Sequence, residues 1–208
     1  LGPGGARVKI DPGNVVGNTE AKYAHPNPIA RRLVAGFKRA VGELYLKTCP
    51  ESVLDVGCGE GLLADHLIRL RRPASYTACD VDLAHLAPGL DPALRFEQAS
   101  IYQLPHADRS VDLVICCEVL EHLHDPAAGL AELARVARRA VLLSTPWEPV
   151  WRLLNLVRGR YVRDLGNTPG HVQHFSRRAL VRLAASRLRI AEIRRPLPWT
   201  VILGEPRP

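Results

Sequence analysis

The sequence predicts a doubly wound α/β fold: a mostly parallel, seven-stranded sheet with helices on both faces, an antiparallel strand at one edge and a small helical or loop lid. Two observations predict it. Short apolar runs alternate with segments of helical spacing, and the first run ends at a glycine-rich loop that opens a helix. Because strand–helix–strand units of this length join parallel strands by right-handed crossovers, we expect one open sheet.

The elements follow in order along the chain. Helices are expected where apolar residues recur at helical spacing before a breaker: Pro28–Thr48, Leu62–Leu70, Leu83–Ala87, Ala127–Ala137, Val150–Val157 and Arg177–Ser186. Strands are expected at short apolar runs bounded by turn residues: Ser52–Val56, Tyr76–Cys79, Ala93–Glu97, Val111–Cys117, Ala140–Ser144, Leu188–Ile193 and Trp199–Leu203. The last two strands should form an antiparallel pair, and residues 158–173 a long loop.

Composition limits the class of protein. Hydrophobic residues make up 47% and charged residues 24% of the 208, which excludes wholesale disorder. The five cysteines form no C-x-x-C pair, so reduced thiols are expected rather than zinc ligands or disulfides. No apolar run reaches the ~20 residues of a membrane span and no basic-then-apolar leader is visible, so we expect a cytoplasmic protein without membrane contact.

Positive charge is concentrated in the last third of the chain. The formal net charge is +7, and residues 152–195 hold eleven arginines against only Asp164 and Glu192. This excess suits an anionic substrate or a nucleic acid. Arginines on a solvated helix face and on edge strands are the alternative explanation.

The central motif is a loop of three glycines, Gly57, Gly59 and Gly61, that follows the first strand. In such a sheet ligands bind beyond the carboxyl ends of the strands, and glycines let the backbone approach them. The spacing G-x-G-x-G differs from the dinucleotide pattern G-x-G-x-x-G, and no Lys-Ser or Lys-Thr follows. The loop therefore predicts neither a dinucleotide site nor a phosphate-binding P-loop.

Carboxylates around this loop indicate a different ligand. Asp55 and Glu60 add negative charge, which disfavours a pyrophosphate and favours a cationic cofactor. Asp80 ends the second strand, where a carboxylate can accept both hydroxyls of a ribose. An adenosine that carries a positive charge instead of phosphates is S-adenosylmethionine.

Four segments of the sequence resemble the small-molecule, type 11-like branch of the class I S-adenosylmethionine-dependent methyltransferases. Members of this class have a Rossmann-like sheet. In order they read VLDVGCGEG, ACDVD, QASIYQLPHADRSVDLVI and CCEVLEHLHDP. The resemblance implies a loop that holds the methionine part, a ribose on Asp80, adenine beside Val81, and a fourth strand that ends at the sulfonium. Ser100 stands where the family usually has Asp. The implied cofactor-binding residues are Asp55, Gly57, Cys58, Gly59, Gly61, Asp80, Val81, Ser100, Ile101 and Cys117.

We expect one methyltransferase domain over residues 1–208. Its parts are a leader and cap helix (1–48), a cofactor-binding core (51–145), a lid or acceptor insertion (146–175) and a C-terminal helix with edge strands (176–208).

Two clusters could assist the chemistry. Methyl transfer from a sulfonium gains mainly by orientation, and a hydroxyl acceptor also gains from a general base or a metal. If Glu118, Glu121 and His122 open a helical turn, they project onto one face. The second cluster, residues 170–176, contains His171 and His174. We expect His122, His171 or His174 to act as base or to orient the acceptor, although the second cluster could instead be a helix entry capped by Ser176.

A metal site is the open alternative for these residues. Glu118, Glu121, His122 and His174 resemble the metal-binding set of small-RNA terminal 2′-O-methyltransferases and, in part, that of ubiquinone-pathway O-methyltransferases, which implies Mg²⁺ or Mn²⁺. The other interpretation is the metal-free Leu-Glu-His-Leu motif of the small-molecule branch, and it is the favoured one.

The expected function is O-methylation of a small-molecule metabolite. The alternatives are a metal-assisted 2′-O-methyltransferase acting on RNA ends and a non-catalytic scaffold that binds S-adenosylmethionine. We expect a small-molecule acceptor, which the arginine excess suits if it is anionic; a nucleic acid is the less favoured partner. The chain is expected to be a monomer or homodimer.

Overall fold

The sheet has seven strands. The structure, a computed structural model, describes residues 28–148, 150 and 172–208. Its strands are β1 (Ser52–Val56), β2 (Ser75–Asp80), β3 (Leu94–Gln98), β4 (Val111–Cys117), β5 (Ala137–Pro146), β6 (Leu188–Arg194) and β7 (Trp199–Pro206). They lie in the order β3-β2-β1-β4-β5-β7-β6. The first five pair in parallel, and β7 runs antiparallel to both β5 and β6. The predicted sheet, with its antiparallel pair at one edge, is confirmed.

Four α-helices are described: α1 (Pro28–Thr48), α2 (Leu62–Leu70), α3 (Pro126–Val136) and α4 (Arg177–Arg187). Side chains cap two of them. Asp125 accepts hydrogen bonds from the backbone N–H groups of the second and third residues of α3, at 3.1 and 3.0 Å. Ser176 Oγ accepts one from Ala179 N at 3.1 Å, so the predicted cap of α4 is confirmed. The predicted helix Val150–Val157, the loop 158–173 and the lid 146–175 lie mostly outside the described residues.

The helices cover both faces of the sheet. Leu54 and Val114 pack in one core with α3 and α4, whereas Val53 and Leu113 pack in a second core with α1 and α2. All seven residues of β4 are buried, as expected for a central parallel strand with helices on both sides. Because β1, β2, β4 and β5 run parallel, their carboxyl ends lie at the same edge of the sheet. Folds of this class bind ligands at that edge.

The short helix predicted at Leu83–Ala87 is wrong. The segment forms turns, and the side chain of Asp82 accepts a hydrogen bond from Ala84 N at 2.9 Å within one of them. A segment of five residues that stops at Pro88 is too short to offset the entropy of helix nucleation.

The five cysteines are free thiols, and Cys79, Cys116 and Cys117 are buried. In the part of the chain that the structure describes, no helix is both long enough and apolar enough to cross a bilayer.

Candidate active site

The glycine loop lies at the carboxyl end of β1. Gly57, Gly59 and Gly61 all have positive φ angles, of 77°, 52° and 76°. The backbone N–H groups of Gly57 and Cys58 both donate to the carbonyl oxygen of Cys79, at 2.8 and 3.0 Å. These two hydrogen bonds hold the start of the loop against the end of β2, and the loop then leads into α2.

Two of the glycines serve different purposes. A Cβ on Gly57 would lie 2.3 Å from Cγ2 of Val119, so this position is closed by packing. A Cβ on Gly59 would meet nothing within 4 Å, and Gly59 is exposed. A left-handed, side-chain-free residue with open space beside it lets a ligand touch the backbone. The loop therefore fits a cofactor at Gly59.

Asp80, the last residue of β2, faces the same space. Its Oδ2 accepts a hydrogen bond from the Gly59 N–H at 2.8 Å, and its Oδ1 accepts one from Asp82 N at 3.3 Å. An ionised carboxylate has about four lone-pair sites, so it can still accept the hydroxyls of a ribose. The structure thus brings together the loop and the acid that the sequence pointed to, and both fit the implied cofactor.

The other predicted cofactor-binding residues after β2 and β3 are not all equally accessible. Val81 is half-buried beside Asp80, and its carbonyl accepts from Gln98 Nε2 at 2.6 Å. Ser100 is half-buried, and its Oγ accepts from Tyr102 N at 3.3 Å. Ile101, by contrast, is buried in the core, with its side chain towards Gly129 of α3.

Cys58 and Cys117 also lie within or under the site. Cys58 is half-buried in the glycine loop, where burial raises the pKa of its thiol well above the ordinary value. Cys117, the last residue of β4, packs in the core shared with α1 and α2, and burial raises the pKa of its thiol as well. Thiols that stay protonated in this way are poor nucleophiles.

Asp55 is a buried carboxylate on β1, behind the glycine loop. Its side chain is 2% exposed, and the hydroxyl of Tyr76 donates to its Oδ2 at 3.4 Å. Burial raises the pKa of Asp55 to about 7, and the negative charge of Asp80 raises it further while the Tyr76 hydrogen bond opposes the shift.

This shift predicts a pH-dependent stability. The folded-state pKa lies above the ordinary 3.8, so the folded protein binds more protons than the unfolded chain, and stability falls as pH rises from about 4 to 7. Relative to Asp55→Asn, we expect the free energy of unfolding of the unsubstituted protein to fall by about 2–3 kcal/mol between pH 5 and pH 8. Urea titrations at both pH values measure this difference. Asp108→Asn, at a largely exposed carboxylate, should leave the slope unchanged; an unchanged slope in Asp55→Asn would contradict the buried-acid explanation.

The segment directly after β4 holds the first of the two clusters that the sequence singled out. Glu118 has a φ of 63°, so it does not belong to the short 3₁₀ turn Leu120–His122 that follows. The expectation that Glu118, Glu121 and His122 share one face of a helical turn is therefore wrong, because a left-handed residue interrupts the helical path. Glu121 and His122 are buried, and the Glu121 carbonyl accepts from the N–H groups of residues 172 and 173, at 2.9 Å each.

Glu118 is held by partners that the sequence did not reveal. The hydroxyl of Ser144 donates to its Oε1 at 3.1 Å, and the indole N–H of Trp199 donates to its Oε2 at 2.7 Å. Trp199 lies 81 positions away in sequence, so no local pattern could indicate the pair. A tryptophan at the start of a strand, with an N–H that needs a partner when buried, was the available signal.

Of the predicted histidines in the second cluster, only His174 can be placed. Its Nδ1 lies 3.6 Å from Oε2 of Glu148, a buried residue that follows β5 closely. The guanidinium of Arg177 lies 3.7 Å above the ring of Trp147, in the same region. His171 lies outside the described residues. The sequence reasoning did not single out Glu148 or Arg177.

The metal set does not fit. Among the described residues, no group of three or more His, Cys, Asp or Glu side chains is placed to hold a metal ion, and Glu118, Glu121, His122 and His174 are all described. The structure does not support Mg²⁺ or Mn²⁺ on this set.

Known proteins share this core. Residues 54–144 match a family model described as a methyltransferase domain. A probable S-adenosylmethionine-dependent methyltransferase of Mycobacterium tuberculosis is 41% identical over 99 residues, which cover 45% of this chain and 35% of that protein. A ubiquinone biosynthesis O-methyltransferase of Hahella chejuensis is 39% identical over 93 residues, which cover 41% of this chain and 38% of that protein. The chain thus matches little more than a third of these relatives' length.

The fold has solved counterparts as well. Magnesium protoporphyrin IX methyltransferase of Synechocystis, solved with bound SAH, superposes with a TM-score of 0.63 at 19% identity, covering 88% of this chain and 89% of that one. At this identity the likeness shows the fold alone.

Proposed function

We propose that this chain, whose residues 54–144 match a methyltransferase domain, is a class I S-adenosylmethionine-dependent methyltransferase and transfers the methyl group to an oxygen atom of a small-molecule acceptor. The bound cofactor supplies a methyl group on a sulfonium, which is already a good leaving group. The protein's part is then to bind, to orient the acceptor and to exclude water.

One observation carries the proposal: Gly59 leaves its backbone open beside the carboxylate of Asp80. A nucleoside ribose fits between an exposed loop and an acid that ends β2. The negative charge of Asp80, with buried Asp55 behind it, favours a cationic cofactor over a phosphorylated one. Support for an oxygen acceptor comes from the similarity to ubiquinone biosynthesis O-methyltransferases.

Histidine is the proposed orienting group or base for the acceptor. His174 is partly exposed and lies beside the Glu148 carboxylate, which can orient its ring. His122 is buried in the turn after β4, so it contacts the acceptor only if the site opens. His171 remains a sequence-based proposal.

SAH binding tests the cofactor site without any need to know the acceptor. By calorimetry we expect 1:1 binding of SAH. Gly59→Ala should lose about 1–2 kcal/mol of stability because of its φ of 52°, as Gly89→Ala does, but its Cβ meets no atom within 4 Å. We expect it to lower SAH affinity at least tenfold by filling the space of the ligand. Gly89→Ala has a comparable φ of 75° outside the loop and should bind SAH normally. No SAH binding to the unsubstituted protein, or binding of a dinucleotide instead, would contradict the proposal.

Turnover separates the enzyme from a scaffold. We expect radiolabelled methyl groups to pass from S-adenosylmethionine into a pool of hydroxylated metabolites, with and without EDTA. SAH binding without turnover on any pool would favour the non-catalytic scaffold. Labelling of small RNA that EDTA abolishes would favour the metal-assisted alternative, for which the described residues offer no cluster of three ligands.

A further inference from the structure

We propose that Arg177 binds an anionic group of the methyl acceptor, a carboxylate or a phosphate, while the ring of Trp147 holds the guanidinium in place. This inference rests on the proposed function and names the class of acceptor: a molecule that carries both a hydroxyl and an oxyanion. The oxyanion lies at Arg177, and the hydroxyl lies at the histidine proposed above.

The guanidinium of Arg177 is held by stacking. It lies 3.7 Å above the centre of the Trp147 ring, where a cation is attracted by the electrons of the ring face. Stacking fixes the plane of the guanidinium but uses none of its N–H donors. Both side chains are half-buried, so they are packed and yet keep part of their surface accessible to a ligand.

No acceptor in the described part of the chain uses these donors. The Nε–H of Arg177 is buried without a hydrogen-bond partner, and the guanidinium forms no ion pair with a described carboxylate. The neighbouring carboxylate, Glu148, has its Oε2 3.6 Å from Nδ1 of His174. A buried charged donor without an acceptor loses its hydration and gains nothing in return. A carboxylate or phosphate would supply both the missing acceptor and the missing counter-charge, and the planar fork of an arginine matches either group.

The charge around Arg177 also favours an anion. Arg177 and Arg178 are the first two residues of α4, whose first turn holds no acidic residue. The amino end of a helix carries a partial positive charge, so carboxylates are favoured there and cations are not. Two arginines at this end add to the positive potential, and Arg178 is exposed without an ion pair to any residue that the structure describes. A bound anion would offset this concentration of positive charge.

Arg177 lies at the edge of the sheet where the cofactor is proposed to bind. Trp147, which the guanidinium covers, directly follows the carboxyl end of β5. The last residue of β5 pairs with Trp199, whose indole N–H donates to Glu118, the first residue after β4, at 2.7 Å. The segment that leads into α4 is also tied to the turn after β4, by two backbone hydrogen bonds of 2.9 Å. An acceptor held by Arg177 therefore lies near the end of β4, beside the strand that carries the glycine loop.

Anion binding to Arg177 can be measured without turnover. In ¹⁵N-labelled protein, Arg177→Lys assigns the Nε–H signal of this arginine, which burial should protect from exchange with water. With the ionic strength held constant by sodium chloride, acetate or phosphate should shift that signal, and acetamide should not. The two anions distinguish a carboxylate ligand from a phosphate ligand. A signal that neither anion shifts would overturn the proposal, whether or not the protein binds SAH.

Methyl transfer tests the same contact on an acceptor. We divide the pool of hydroxylated metabolites by anion exchange into an anionic and a neutral fraction, and we expect labelled methyl groups in the anionic one. Arg177→Gln should raise the apparent KM for that fraction about 10–100-fold, as expected for loss of a hydrogen bond to a charged group, while kcat and SAH affinity change less than twofold. Arg177→Lys keeps the charge and should retain part of the affinity. Arg182→Gln, at an exposed arginine of the same helix, is the matched control and should leave all three quantities unchanged.

The failures of the two proposals differ. Labelling confined to the neutral fraction, or equal KM values for Arg177→Gln and the unsubstituted protein, would overturn the role of Arg177 and leave methyl transfer standing. A protein without SAH binding would overturn the proposed function itself, and the titrations with acetate and phosphate would still decide whether Arg177 binds an anion. Melting temperatures of all variants show whether a loss reflects unfolding.

Discussion

Gly57→Ala is expected to lower the free energy of unfolding by about 2–5 kcal/mol. The φ of Gly57 is 77°, and a left-handed conformation costs a residue with a Cβ about 1–2 kcal/mol. The new Cβ would also lie 2.3 Å from Cγ2 of Val119, and overpacking of this kind costs about 1–3 kcal/mol. Urea unfolding followed by circular dichroism measures the change.

Gly89→Ala separates the two contributions. Its φ is 75°, close to that of Gly57, but a Cβ there meets no atom within 4 Å. We expect it to lose only the backbone part, about 1–2 kcal/mol. In a double-mutant cycle, Val119→Ala should recover part of the loss in Gly57→Ala, because it removes the contacting methyl groups. Equal losses in Gly57→Ala and Gly89→Ala, with no recovery, would show that Val119 does not close the loop.

The parts of the fold that local sequence controls were predicted closely. The helices Pro28–Thr48 and Leu62–Leu70 have the predicted limits, because apolar spacing and the residues after each helix define them. β5 is longer than predicted, beginning at Ala137 and ending at Pro146. Its extra residues pair with β4 and β7, and such contacts come from distant parts of the chain. The insertion of β7 between β5 and β6 likewise depends on pairing across the sheet.

In the candidate site, too, local features could be predicted from the sequence and tertiary contacts could not. The glycine loop and Asp80 could be placed together from sequence, because each directly follows a strand and parallel strands end at one edge. The cluster at Glu118 could not, since its left-handed φ interrupts the helical path that would have aligned it with Glu121 and His122. Nothing near Glu118 in the sequence indicates that Trp199 will donate to it. Burial of Ile101 under α3 similarly depends on tertiary packing.

Asp80→Ala is expected to weaken SAH binding about 10–150-fold, equivalent to about 1.5–3 kcal/mol for hydrogen bonds to a charged group. Part of the loss has a structural origin, because Asp80 Oδ2 also accepts the Gly59 N–H at 2.8 Å and so fixes the loop. Calorimetry at constant pH and salt measures the affinity, and the melting temperature reports any damage to the fold.

Two further variants show how much of this loss in affinity comes from contacts with the ribose. Asp80→Asn retains one carbonyl oxygen of similar shape for Gly59 but loses the charge, so we expect an intermediate affinity. Asp82→Ala removes a nearby carboxylate that is bonded to Ala84 N in the following turn, at 2.9 Å, and it should change SAH affinity less than threefold, a shift of about 0.6 kcal/mol. If adenosine without a methionine part loses as much affinity in Asp80→Ala as SAH does, the carboxylate contacts the nucleoside. A loss below twofold for both ligands would mean that the sugar lies elsewhere, and the acid at the end of β2 would then serve only to hold the glycine loop.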